Sequence, residues 1–163
     1  MLASIHLTKI TDADFDNYYR LVKDTLVMKM ITNRALTLDE AQQKFQKILL
    51  NNQIHESFGY FKIIETNANH FIGFCKLEIL NKESTEAEIG YMLLPMFWGK
   101  GITNIAVQQL LNSVKTKKNI HKVFAIIAPQ NIASQKILLK NNFVYKEKYL
   151  IDGQSEEVYE FIN

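Results

Sequence analysis

The sequence predicts an α/β fold of the α+β kind, a mixed and mostly antiparallel sheet of about six or seven strands flanked by about four helices. Three observations carry this. The strand-like runs "GYFKIIET", "FIGFCKLEIL" and "AEIGYMLL" follow one another with only short polar breaks, as hairpin strands do. The rhythm then changes to helix, strand and helix. A final pair of runs, "FVYKEKYLI" and "EEVYEFI", flanks the turn "DGQS".

Taken in order, residues 3–9 alternate well enough for a first strand. "TDADFDNYYRLVKDTLVMKM" follows, with Thr11 or Asp12 as cap and Phe15, Tyr18, Tyr19, Val22 and Leu26 at helical spacing. In "TLDEAQQKFQKILLNN", Thr37 and Glu40 form a capping box ahead of the stripe Ala41, Phe45, Ile48 and Leu49. Three strands come next, the last stopped by Pro95. A helix then carries Ile102, Ile105, Ala106, Leu110 and Val114, and "KVFAIIAP" is a strand rich in β-branched residues. "NIASQKILLKNN" is a short helix with Ile132, Ile137 and Leu138 available for packing, and the closing hairpin takes in Tyr145 and Tyr149. Without linker, repeat or low-complexity segment, residues 1–163 are expected to form one domain.

Composition narrows the function. Hydrophobic residues make up 47% and charged residues 22% of 163, which fits a folded core and not a disordered chain. No apolar run approaches the roughly 20 residues of a bilayer span, and "MLASIHLTKI" does not read as a signal peptide. Cys75 is alone in an apolar string, so it reads as a buried free thiol in a reducing compartment. Together these point to the cytoplasm and to no membrane partner. The formal charge is +2, and the densest basic run (Lys115, Lys117, Lys118, His121, Lys122) reads as a solvated helix end. Nothing resembles a nucleic-acid stripe or aromatic platform. His6, His55, His70 and His121 lack metal-ligand spacing, so no metal is expected.

The chemistry is concentrated in "FWGKGITNIAVQQLLNSV", which spends two of six glycines just before a helix. Glycine permits a sharp turn and close approach, and the amides of a helix start still lack partners. Such amides, with the aligned helix dipoles, can hold a pyrophosphate. Lys100 would add charge at the rim and Trp98 a surface to pack on. Neither the Walker spacing nor the full G-x-G-x-x-G pattern is present, since position 104 is Asn.

With its surroundings, "EIGYMLLPMFWGKGITNIAVQQLL" closely resembles the acyl-CoA-binding core of the GCN5-related N-acetyltransferase (GNAT) superfamily. The branch it looks most like contains the ribosomal-protein alanine N-acetyltransferases. The family's core glycine falls on Gly101, its first position on Trp98 and its last on Thr103, a mild departure from glycine or alanine. "APQNIASQKILLKNNFVYKE" resembles the next motif, with Asn131 opening a helix, Ser134 three residues on and Phe143 in the usual glycine–phenylalanine pair. Asn142 replaces that glycine, and asparagine tolerates left-handed backbone. The resemblance is specific over residues 86–143 and weak over 10–55.

The resemblance implies central strands, here 87–94 and 122–128, that splay apart to bind acetyl-CoA. Main-chain groups around Met92, Leu93 and Leu94 would hold its pantetheine, and amides from Trp98, Gly99, Lys100, Gly101, Ile102 and Thr103 its diphosphate. Asn131 and Ser134 would contact the cofactor's arm. Acyl transfer would follow by direct attack of a primary amine in a ternary complex. An amine attacks only when unprotonated, which calls for a base. Glu88 is the candidate, because strand alternation puts Glu88, Gly90 and Met92 on one face and Ile89, Tyr91 and Leu93 on the other. Many relatives place a tyrosine acid seven residues after the helix-opening asparagine. That position is Leu138 here, and Ser134 resembles the hydroxyl used instead in the ribosomal-type branch. Expected partners are acetyl-CoA and an amine acceptor. A protein or peptide N-terminus is favoured over a polyamine or aminoglycoside-like amine, and a non-catalytic acyl-CoA-binding module is the third alternative. Exposed edge strands would suit a homodimer.

Overall fold

The structure, a computed structural model, describes residues 4–163; residue 3, the first of the expected opening strand, lies outside them. Seven strands form one sheet in the order β1-β2-β3-β4-β5-β7-β6. They are β1 (Ile5–Lys9), β2 (Gly59–Glu65), β3 (Phe71–Glu78), β4 (Glu86–Leu93), β5 (Lys122–Ile127), β6 (Val144–Ile151) and β7 (Gln154–Ile162). Every neighbouring pair is antiparallel except β4 and β5. Among the described residues five α-helices flank the sheet: α1 (Phe15–Val22), α2 (Thr25–Met28), α3 (Leu38–Asn51), α4 (Ile102–Val114) and α5 (Ile132–Lys140).

The first helical stretch is broken, where one continuous pattern was expected. Thr11 does not cap it directly. A 3-10 turn over Asp12–Asp14 comes first, and the Asp14 carboxylate accepts from the Thr11 amide at 2.8 Å. α1 ends at Val22, and Asp24 restarts the chain as α2 by accepting from the amides of Leu26 and Val27. Two short caps therefore interrupt a sequence whose apolar period runs through them. The second helix forms as its residues dictate. Thr37 Oγ1 accepts from the Glu40 amide at 3.3 Å, and Glu40 accepts from the Thr37 amide at 2.9 Å.

The central strands are covered on both faces. On one side, α4 and α5 press Ala106, Leu110, Val114 and Leu138 onto Ile89, Leu93 and Val123. On the other, α1 and α3 press Tyr18, Leu21 and Phe45 onto Phe74 and Leu94. Burying each such large side chain contributes about 1.5–3 kcal/mol. As a central strand, β3 is apolar on both faces at Ile72, Phe74, Cys75 and Leu77.

One packing expectation fails at the molecule's margin. Ile132 sits in the first turn of α5 and is exposed. Tyr145 leans edge-on against Tyr159 at 5.7 Å yet stays half exposed, and Tyr149 is exposed too. Both belong to β6, an edge strand with nothing packed on either face.

Candidate active site

The site begins with a register. β4 pairs with β5 only over Glu86–Glu88 against Lys122–Phe124. Beyond that, β4 follows β3 as far as Leu93, while β5 follows β7 as far as Ile127. A wedge opens between Ile89–Leu93 and Ala125–Ile127, the splay expected of strands 87–94 and 122–128. The Leu94 amide donates to the Ile72 carbonyl at 2.9 Å. Alternation then turns the Leu94 amide and the main-chain groups of Met92 toward β3, and those of Tyr91 and Leu93 toward the wedge. The Leu93 carbonyl is itself engaged, accepting from Trp98 Nε1 at 2.9 Å. Of Met92, Leu93 and Leu94, Leu93 alone keeps a free main-chain amide at the open edge.

At the end of β4, Pro95–Phe97 form a single 3-10 turn, and the chain enters α4 through two left-handed residues, Gly99 (φ 71°) and Gly101 (φ 76°). Gly101 is the N-cap, which a side chain would strain. A Cβ at Gly99 would meet no atom within 4 Å. That open space and the unpaired amides of the first turn of α4 make a concave, electropositive lip. Lys100 stands beside it with Nζ 5.6 Å from the Phe97 ring centroid. Ile102 is buried in the core and offers the lip only its main chain.

Asn131 caps α5, accepting from the Ser134 amide at 3.1 Å. Its Oδ1 is thereby spent, and its amide nitrogen is the atom left for a ligand. Ser134 is buried, and Leu138, one turn further on, is wholly enclosed in the core. Asn142 has φ 65°, the left-handed conformation the replaced glycine would have supplied, and Phe143 beyond it is buried.

Two cavities occupy the wedge. The larger, about 410 Å³, is lined by Leu93, Trp98, Gly99 and Thr103 with Gln130 and Ile132 of the α5 entrance. The smaller, about 310 Å³, is lined by Tyr60, Lys76, Glu88, Gly90, Ala125 and Glu156. Met30, Ile31, Tyr91, Met92, Asn131 and Ser134 line both. Of the residues expected around a cofactor, Met92, Leu93, Trp98, Gly99, Thr103, Asn131 and Ser134 thus converge on the wedge. Leu94, Lys100, Gly101 and Ile102 line neither cavity.

Glu88 reaches the smaller cavity with its carboxylate 2.9 Å from Lys76 Nζ, which also holds Glu78 at 2.8 Å. Glu156, on β7, has no ion pair among the described residues, and burial raises its carboxyl above the ordinary range. Tyr91 is half-buried, but its hydroxyl is fully enclosed and lacks an ordinary hydrogen-bond partner. Burial pushes that phenol up to about 12, and the nearby Ser134 hydroxyl draws it down slightly. Cys75 borders the smaller cavity from β3, and burial pushes its thiol up, which fits an inert core thiol. Among the described residues no group of three or more His, Cys, Asp or Glu is placed to hold a metal ion, and no helix is long and apolar enough to cross a membrane.

Sequence reasoning missed Tyr91, Glu156 and Lys76. Tyr91 had a signal, because it lies on the glycine-bearing strand opposite Glu88 in phase. Glu156 had none, because its place depends on how β7 passes β5.

Residues 4–144 match the acetyltransferase (GNAT) domain family. An uncharacterized N-acetyltransferase of Bacillus licheniformis is 36% identical over 161 residues, 95% of this chain and 89% of that one. Two solved structures share the fold. One is the spermidine N-acetyltransferase of Vibrio cholerae in complex with CoA and spermine, with TM-score 0.77, 19% identity, and 97% and 95% of the two chains covered. The other is the Salmonella typhimurium acetyltransferase that modifies the N-terminal serine of a 50S ribosomal-subunit protein, with TM-score 0.80, 18% identity, and 98% and 95% covered. This chain belongs to the GNAT acetyltransferase family. It is an N-acetyltransferase, acetyl-CoA is its acyl donor, and a primary amine is the acceptor. The wedge and the left-handed glycine lip lie together at the end of β4.

Proposed function

We propose that this enzyme acetylates a small cationic amine, of the polyamine or amino-sugar kind. The observation carrying this is the pair of carboxylates, Glu88 and Glu156, on one 310 Å³ cavity, with Glu156 lacking any cation of its own among the described residues. A half-buried carboxylate without a counter-ion is costly, and a ligand ammonium offsets that cost. The likeness to an enzyme described with spermine bound supports the same choice.

When bound, acetyl-CoA supplies an acyl group already activated as a thioester. In this reading the amides of α4's first turn hold the diphosphate, with Lys100 at the rim. The Leu93 amide, held at the open edge, donates toward the thioester carbonyl, where charge develops in acyl transfer. Glu156 holds an ammonium of the acceptor. Glu88, fixed in place by Lys76, takes the proton the attacking amine must lose. Positioning of the two substrates across the wedge supplies much of the rate. All of this lies within residues 1–163, which we treat as one domain.

A second reading, the α-amine of a protein N-terminus, draws on Ser134. It is a buried hydroxyl at the junction of the cavities, where the ribosomal-type branch is expected to use one. Free-thiol release from acetyl-CoA, measured over spermidine, aminoglycosides and short peptides beginning with Ala, Ser or Met, separates the two. Turnover is expected with the polycations. Turnover confined to the peptides would replace the first reading by the second, and cofactor binding with no turnover would favour a binding module.

A further inference from the structure

The Tyr91 hydroxyl sits at one distinctive point. Its residue lines both cavities, as does Ser134, so these two residues stand where the donor half of the wedge meets the acceptor half, with the Tyr91 hydroxyl enclosed between them and the core. That is where a thioester sulfur must lie if the diphosphate is at the α4 lip and the amine is beside Glu88. An enclosed hydroxyl with no partner is costly, by roughly 1–3 kcal/mol. Such a cost is tolerated where a ligand completes the bond. The only other enclosed side-chain polar atom without a partner among the described residues is Asn51 Oδ1, which lines neither cavity. Leu138, at the position where the resemblance would place a tyrosine acid, carries no proton and is sealed in the core.

We propose that the Tyr91 hydroxyl, working with Ser134, donates to the sulfur that leaves the acyl donor and delivers its proton. The inference rests on the amine-acetylation reading of this same site. As the new C–N bond forms and the C–S bond breaks, the bonding electron pair passes to sulfur. The proton shed by the acylated nitrogen moves to the Ser134 hydroxyl. Ser134 hands its own proton to Tyr91, and Tyr91 hands its own to sulfur. Each hydroxyl gives one proton and takes one, and the products are amide and free thiol. Neither hydroxyl is ionised at rest, which suits a phenol held neutral by burial. A phenol that keeps its proton through the working pH range is a steady hydrogen-bond donor to a developing thiolate.

The experiment uses the full chain and Tyr91→Phe, with two readouts. In turnover, Tyr91→Phe is expected to lower kcat by at least about tenfold and leave the KM for acetyl-CoA within about twofold. Ser134→Ala and the double variant should lose about as much as Tyr91→Phe alone, because the hydroxyls act as one relay. Without turnover, the ionisation of free CoA's thiol in its complex with the protein is titrated by the ultraviolet absorbance of the thiolate. A hydrogen bond from Tyr91 favours the anion, so Tyr91→Phe should hold roughly tenfold less thiolate at a fixed pH. The phenylalanine removes an unpartnered polar atom, so the thermal midpoint should be unchanged or higher. An unchanged kcat with unchanged thiol ionisation would overturn the proposal. A raised KM with normal kcat would assign Tyr91 to holding the donor instead. Were wild type to turn over no amine, the acceptor reading would fail while the thiol titration still decided the role of Tyr91.

Discussion

The two halves of the wedge are made from different material. The donor half comes mostly from one stretch of chain, β4 through α5, closed by Leu26, Val27, Met30 and Ile31, and its chemistry is mostly main chain: an open strand edge, two left-handed glycines and the amides of a helix start. The acceptor half is made of side chains from scattered elements, among them Met30, Tyr60, Lys76, Glu88 and Glu156. Main-chain chemistry constrains which residues can stand at a few positions, whereas side-chain chemistry constrains the route of the whole chain. The first half therefore leaves a motif in the sequence, and the second half leaves almost none.

The largest break in this comparison should come from Gly101. At φ 76° a β-branched side chain costs roughly 1–2 kcal/mol and pulls the amides of α4 out of alignment. Gly101→Val is expected to lower kcat/KM for acetyl-CoA roughly hundredfold, about 2.7 kcal/mol of lost interaction. Acceptor affinity, measured by calorimetry with spermidine alone, should stay within about twofold, because the glycine lines neither cavity. Loss of both affinities together would mean the halves are not separable.

This division explains what could be read in advance. The hairpin run of β2, β3 and β4, the capping box on α3 and the glycine entry to α4 are local devices, and each formed as its residues dictate. The splay was implied by resemblance alone, because it depends on β5 leaving β4 after three residue pairs to follow β7. The break between α1 and α2 was hidden because the apolar period runs across Asp24, whose carboxylate caps the start of the second helix. Tyr145 and Tyr149 were placed in the closing hairpin, but their exposure was not legible, because alternation cannot distinguish an edge strand from a covered one. Glu156 is the third residue of β7 and looks like any solvated strand glutamate until β7 is placed against β5.

A smaller and more selective effect should come from Glu156→Gln. The carboxylate faces the acceptor cavity without an ion pair among the described residues, so its removal should raise the KM for spermidine about tenfold, or 1.4 kcal/mol. kcat and the KM for acetyl-CoA should hold. The wild-type pH profile carries a related signature. Burial raises this carboxyl above its usual range, so the charged form that binds ammonium is lost earlier on acidification than for an exposed glutamate. The KM for the cation should therefore climb as pH falls through that raised value, and Glu156→Gln should flatten the climb. A climb that persists in the variant would move the cation to Glu88.

The smallest effect tests how the acceptor half is tethered. Arg34 grips Glu40 through two contacts, Nη1 to Oε2 at 2.9 Å and Nη2 to Oε1 at 2.5 Å, and so ties the segment after Met30 and Ile31 to the first turn of α3. The Arg34 guanidinium, followed by the Thr37 amide, holds the Glu40 carboxyl down at about 2. A folded value below the unfolded one means the pair contributes stability above the ordinary carboxylate range, and that contribution fades as pH falls toward 2. Both side chains are exposed and screened, so Glu40→Gln should raise the KM for the acceptor by less than about twofold at neutral pH. The KM for acetyl-CoA should not move. The variant's thermal midpoint should also fall less steeply than the wild type's between pH 5 and pH 2, because one depressed carboxylate is gone. Equal slopes would show that folding leaves the Glu40 carboxyl unshifted, so that the pair adds no stability and the Met30–Ile31 corner is held by its packing against the wedge.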